Sequence, residues 1–143
     1  MDKIEINKLI KRNKLNIFKN PKGDILKVIN SKDRYFKGFG ETYFTKINKN
    51  KVKGWKYHKK MISNLVVPVG RVKFVFYFPK NDYFHEEIVG LNNYNILTVS
   101  PKIWFAFKGL NNGLNLILNF SNIIHNDSEV LSKNLKAIKY NWK

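Results

Sequence analysis

Arg71-Val72-Lys73-Phe74-Val75-Phe76-Tyr77-Phe78 puts Val72, Phe74, Phe76 and Phe78 on one face of an extended chain. That two-residue period is the mark of a strand with a buried face. The pattern continues on both sides. Upstream, residues 64–69 form an unbroken apolar strand closed by Gly70, and Val52 to His58 is extended. Before the polar turn at residues 48–51, Glu41 to Ile47 alternates Thr42, Phe44 and Lys46 with Tyr43, Thr45 and Ile47. Earlier still, Pro21-Lys22-Gly23-Asp24 is a turn, residues 25–29 read as a short strand, and the two Gly and two Phe of residues 36–40 suit an irregular loop. Downstream, residues 79–83 turn, and strands follow at 85–89, 94–99, 102–107 and 114–120. About eight to ten short strands between Gly, Asn and Pro turns predict an all-β sandwich or barrel. A closed barrel would leave a lumen for a small ligand. Only residues 128–138 show helical spacing, through Val130, Leu131, Leu135 and Ile138, which predicts a short helical segment or 3₁₀ turn near the C-terminus. Residues 1–20 read as an N-terminal extension, an added edge strand or a dimer arm, before a domain over 21–143.

The chain has 143 residues and a formal charge of +17; 24 of its 27 basic residues are Lys, and only Arg12, Arg34 and Arg71 are Arg. The first sixty residues hold 18 of those cations against 5 acids. Such a bias invites a nucleic-acid reading, because neutralised phosphates release counterions. Lys, Asn and Ile are abundant everywhere, however, and the better phosphate fork is scarce. The charge therefore reads as composition rather than a built patch, and nucleic acid is disfavoured as a partner. The same positive field suits a small anion such as a nucleoside diphosphate. Aromatic content of 15% argues against a disordered polycation. Without Cys there is no disulfide, thiolate metal site or Cys nucleophile. No apolar run spans a membrane, the start lacks a signal-peptide core, and a soluble cytoplasmic protein is the default expectation.

Five blocks carry a resemblance. They are Gly40-Glu41-Thr42-Tyr43-Phe44, Lys53 to Met61 (KGWKYHKKM), Asn64 to Val72 (NLVVPVGRV), Ser100 to Leu110 (SPKIWFAFKGL) and Leu118 to Ile123 (LNFSNI), with a closing segment Leu135 to Trp142. In order and spacing the chain resembles the cupin-type sugar epimerases related to dTDP-4-dehydrorhamnose 3,5-epimerase, with partial similarity to the dTDP-sugar 3,4-ketoisomerases. The resemblance implies an RmlC-like cupin jelly-roll β-barrel, a homodimer, and a nucleotide-linked 4-keto sugar as ligand. In the epimerases a His after Arg-Gly-Leu takes a proton beside the ketone, a Lys steadies the enolate, and a Tyr on the other sugar face returns the proton. Here the first His position is Lys56, and His58 keeps the second, ketoisomerase-like one. The Lys position falls near Asn64, the Tyr position near Ile123, and Phe105 stands where the epimerases commonly have His.

Alternation along an extended segment puts Gly54, Lys56 and His58 on one face, and Lys53, Trp55 and Tyr57 on the other. Lys56 and His58 are therefore the catalytic candidates. An imidazole accepts a proton near neutral pH, and an ammonium beside it can steady an enolate oxygen. Substrate-binding candidates are Lys53 and Arg71 for the diphosphate, Trp104 and Tyr43 as aromatic platforms, and the polar residues Asn64 and Asn119. Trp55 and Phe44 could also stack on a ring, with core packing as the commoner fate of such residues. His85 and His125 are expected at the surface. The spacing of His58, His85 and His125 builds no metal site, and neither a metal nor another cofactor is implied. Three functions follow. The first is an epimerase or ketoisomerase serving bacterial surface polysaccharide synthesis. The second is a catalytically silent binder of a nucleotide sugar or partner protein, and the third a basic nucleic-acid-binding β-barrel.

Overall fold

Val72, Phe74, Phe76 and Phe78 all lie in one buried cluster, as their spacing predicts. The computed structural model, which describes residues 1–143, shows how that cluster is enclosed. A short helix α1 (Lys3–Leu9) leads into β1 (Ile10–Lys14) and a small hairpin of β2 (Ile17–Phe18) and β3 (Ile25–Leu26). The main strands follow as β4 (Glu41–Ile47), β5 (Val52–His58), β6 (Ser63–Val69), β7 (Arg71–Phe78), β8 (Tyr83–Gly90), β9 (Asn95–Val99), β10 (Trp104–Gly109), β11 (Asn115–Ser121) and β12 (Val130–Ser132). Two five-stranded sheets result, in the orders β1-β9-β6-β11-β4 and β12-β5-β10-β7-β8. All their ladders are antiparallel. Both sheets feed the central cluster, the first through Leu65, Leu97 and Ile117, the second through Phe74, Phe76 and Phe105. Each such side chain, fully buried, stabilises the fold by roughly 1.5–3 kcal/mol.

No ladder joins the two sheets at their edges. The expected barrel is thus a pair of facing sheets with two seams, one between β4 and the β5–β12 edge, the other between β1 and β8. The outer faces are covered by the chain's ends. Ile138, Tyr140 and Trp142 lie over Trp55, Val75, Trp104 and Ala106 of the second sheet. Leu15, Ile17, Leu26, Val28 and Tyr35 lie over Val66, Ile96 and Leu118 of the first. No helix is long and apolar enough to cross a membrane.

Two local features add to the expected pattern. The helical spacing of residues 128–138 becomes two 3₁₀ turns, Asp127–Glu129 and Leu135–Ala137, on either side of β12. Asn126 and Asn134 cap them by accepting from the Ser128 and Lys136 N–H groups, both at 2.9 Å. Meanwhile Val130, Leu131 and Ser132 pair with His58, Tyr57 and Lys56. Secondly, β5 carries a bulge. Phe105 pairs with Lys56 but Phe107 with Lys53, so two residues of β5 oppose Ala106 alone. Gly54 permits this: its φ is +148°, and a Cβ there would lie 2.4 Å from the Ala106 Cβ. The bulge breaks the alternation, so Lys53 shares the inner face with Lys56 and His58 instead of the opposite one.

Candidate active site

A cavity of about 210 Å³ opens along the seam between β4 and β5. Its apolar floor comes from Leu65, Phe74, Phe105, Phe107 and Ile117, and its polar groups are Tyr43, Lys53, Lys56, His58, Asn119 and, at the rim, His125. Strand alternation explains most of this set. Tyr43 and Thr45 face inward from β4, Asn119 from β11, and Lys56 and His58 from β5.

His58 is the most constrained of these groups. It is buried, and its ring stacks on Phe105 with centroids 6.0 Å apart. Its Nδ1 is hydrogen-bonded to Oε1 of Glu129, which is itself buried. The other carboxylate oxygen, Oε2, accepts from the backbone N–H groups of Lys60 at 3.0 Å and Met61 at 3.2 Å. Burial alone would raise the Glu129 carboxyl; the His58 bond and the two backbone donors outweigh it and hold the group below the ordinary carboxylate range. A carboxylate on Nδ1 keeps a proton on that nitrogen and fixes the ring. Nε2 is then the basic nitrogen, on a residue that lines the cavity. Lys56 has no carboxylate partner; its Nζ donates to Ser132 Oγ at 2.8 Å. Lys53 Nζ donates to the Lys46 carbonyl at 2.8 Å. On the opposite wall Asn119 Nδ2 donates to Tyr43 Oη at 2.9 Å.

Five of the eight sequence candidates therefore meet in one cavity: Lys53, Lys56, His58, Asn119 and Tyr43. Three do not. Trp104 points outward, because Phe105 beside it points in; it packs on Tyr57 at 5.1 Å and lies under the Lys133 ammonium. Asn64 sits on the covered outer face, donating to the Tyr35 carbonyl and accepting from Thr98, which satisfies its amide without a ligand. Arg71 is exposed at the start of β7, away from the cavity. Trp55 is fully buried in the outer cluster and Phe44 points outward, so neither forms a platform in the site. Glu129 is the residue that sequence reasoning missed. Its one signal is an acid in a segment with apolar spacing. His125 is exposed, as expected, yet stands at the cavity rim, its backbone N–H donating to Glu41 Oε1 at 2.9 Å.

The second seam holds a larger cavity, about 780 Å³, lined by Arg12, Tyr83, His85 and Glu87 among others. His85 is half-buried there rather than at the open surface, because β8 turns it inward onto Phe76. Glu87 is shared between Arg12 Nη1 and His85 Nε2, each at 2.8 Å. Burial would raise its carboxyl, but the hydrogen bonds from His85 and Arg12 outweigh that and lower it. This carboxylate ties two strands together, and the size of the cleft does not make it the better site. Nowhere do three or more His, Asp or Glu side chains converge as a metal would require.

No protein-family model matches the chain, and no curated protein matches it in sequence. Solved structures do. The chain is 26% identical to a dTDP sugar isomerase from Desulfovibrio desulfuricans G20, with a TM-score of 0.88 over 93% of this chain and 90% of that one. It is 17% identical to QdtA, a sugar 3,4-ketoisomerase from Thermoanaerobacterium thermosaccharolyticum in complex with TDP, with a TM-score of 0.74 over 85% and 86% of the two chains. It is 19% identical to dTDP-4-dehydrorhamnose 3,5-epimerase from Sulfolobus tokodaii, with a TM-score of 0.78 over 92% and 80%. Each likeness runs over most of the two-sheet architecture described above. The chain has the RmlC-like cupin fold.

Proposed function

We propose that the protein binds a nucleoside-diphosphate-linked 4-keto sugar in the cavity between β4 and β5, and moves a proton on the carbon beside the ketone. The observation that carries this reading is the buried His58–Glu129 pair, which leaves Nε2 as a base on the wall of an apolar-floored cavity. His58 Nε2 takes the proton, and the electron pair it leaves becomes an enolate. The Lys56 ammonium, unpaired with any carboxylate, steadies the enolate oxygen. Lys53, brought to the same side by the bulge, offers a cation to the diphosphate. The dTDP-sugar isomerase likeness at 26% identity supports the substrate class. The homodimer and the place in surface polysaccharide synthesis rest on the family resemblance, and the cytoplasmic setting on the sequence composition.

Two measurements test the reading. dTDP raises the melting temperature of the wild-type protein, and in D₂O the protein exchanges deuterium into dTDP-4-keto-6-deoxyglucose beside its ketone. Absence of exchange with this and other dTDP-4-keto sugars overturns the catalytic reading; stabilisation without exchange would leave a binding protein. Light scattering tests the dimer.

A further inference from the structure

Lys11 and Thr98 are direct cross-strand partners in β1 and β9, on the outer face of the first sheet. The loop that precedes β4 crosses this face and is tied to it at two points. Asn64 Nδ2 donates to the Tyr35 carbonyl at 2.9 Å, with Thr98 donating in turn to Asn64 Oδ1, and Arg34 Nη2 donates to Asn13 Oδ1 at 2.6 Å. Between sheet and loop lies a pocket of about 200 Å³, lined by Lys11, Asn13, Arg34, Tyr35, Lys37 and Thr98. It borders the wide cleft of the second seam, which shares Lys11, Asn13 and Arg34 with it and extends to Tyr83. Neither depression has a lining residue in common with the cavity between β4 and β5.

Three cations line the small pocket and no carboxylate does. None of the three belongs to an ion pair. Asp33, beside Arg34 in sequence, accepts from the Asn30 N–H at 2.7 Å and is outside the lining. Like charges gathered without an acid repel one another, and an entering anion relieves that cost. The abundance of lysine accounts for Lys11 and Lys37 but not for Arg34, one of three arginines in the chain. Arg12 is explained by Glu87 and the Ile88 carbonyl, which its guanidinium reaches at 2.8 and 3.1 Å. Arg34 makes one hydrogen bond, to a neutral amide, and a lysine could make it too. A guanidinium is a planar fork of several donors, and those left over match two oxygens of one phosphate.

We propose that this pocket binds the phosphate of a small organic phosphate ester, whose organic part lies in the adjoining cleft, at a site separate from the catalytic cavity. Arg34 grips two phosphate oxygens, and Lys11 and Lys37 neutralise the remaining charge. Asn13, its Oδ1 taken by Arg34, has Nδ2 left to donate. The loop ties hold these groups in place before the ligand arrives, which lowers the ordering cost of binding. The cleft, about 780 Å³, is far larger than a bare phosphate needs and lies within the range of small-molecule sites, roughly 300–1,000 Å³. Tyr83 offers its ring to a sugar or base.

Calorimetric titration tests the site with three probes: AMP, glucose 1-phosphate and inorganic phosphate. The wild-type protein should bind at least one ester more tightly than inorganic phosphate. The double variant Arg34→Gln/Lys37→Gln should weaken that binding by about tenfold or more. Lys136→Gln/Lys139→Gln removes the same charge from exposed positions outside both depressions and should leave it unchanged, as should Lys53→Gln in the β4–β5 cavity. Lys11→Gln, exposed on an edge strand, should also weaken it and carries the test if the double variant does not fold. An equal fall in the Lys136/Lys139 control shows binding that follows net charge, and overturns the site. A fall in Lys53→Gln alone moves the ligand to the other cavity and overturns it too. Inorganic phosphate binding as tightly as both esters overturns the organic ligand. Deuterium exchange by Arg34→Gln/Lys37→Gln at the wild-type rate keeps this site distinct from the reading of His58, which stands or falls on its own exchange experiment.

Discussion

The two seams of this molecule use the same two residue types to opposite ends. Each holds a histidine against a glutamate at the place where the sheets part. Along β1 and β8, Glu87 is divided between Arg12 and His85, both at 2.8 Å, in a wide polar cleft. Along β4 and β5, Glu129 serves one imidazole and two backbone N–H groups, and both members are buried beneath an apolar floor. A carboxylate shared between a guanidinium on one strand and an imidazole on another is a tie between strands. A carboxylate committed to Nδ1 of a single ring orients a base. Cavity size favours the β1–β8 seam; the partners of the glutamate favour the β4–β5 seam, where the site is proposed.

The largest expected effect separates the histidines. His58→Asn lowers α-proton exchange by about 10² to 10⁴-fold, whereas His85→Asn leaves it within error; equal loss in both would erase the distinction between the seams. Next comes the glutamate itself. Glu129→Ala strands the partner of a buried pair, and urea unfolding should show a loss of about 3 kcal/mol. The better-matched Glu129→Gln keeps the fold and loses exchange by about a hundredfold, since Nδ1 then faces an amide. Gly54→Ala forces a Cβ against Ala106 and strains a positive φ. It should cost about 2–4 kcal/mol and withdraw Lys53 from the cavity, seen as weaker dTDP stabilisation.

Acid should act on both seams in the same direction. The Glu129 and Glu87 carboxyls are lowered on folding, so the stability they contribute is present above the unfolded value, about 4.3, and is lost as pH falls through their folded values. The melting temperature should drop on acidification below about pH 5, and the drop should shrink in Glu129→Gln. The smallest effect is expected at the outer tie. Arg12 is about one-third exposed, and Arg12→Ala should cost about 1 kcal/mol or less with exchange unchanged.

Several strands were legible because one face is buried and the other is not. Residues 41–47, 52–58 and 71–78 have the same bounds in the structure as in the sequence pattern. The edge strand Ile10–Lys14 was harder to see, since Lys11, Arg12 and Lys14 are the charges that edges commonly carry. Residues 130–132 are too short to show a period, and their helical spacing came from side chains that end in a strand and a turn. Within the site, His58, Lys56, Tyr43 and Asn119 could be placed by alternation. Trp104 was misplaced because residues 103–107 are apolar throughout and both faces of β10 are buried, so their composition names no inner face.

Local pattern was enough to determine the strands with one buried face, which way that face points, and the pairing of an ammonium with an imidazole on one wall, because those follow from a two-residue period and the cost of leaving apolar side chains in water. Only the tertiary structure decided that Glu129, 71 residues further along the chain than His58, becomes its partner. It alone brought Lys53 round to the cavity and set Tyr43 against His58 across it. These depend on a bulge, on the return of β12 beside β5 and on the gap between two sheets, and such distances are created when the chain closes on itself.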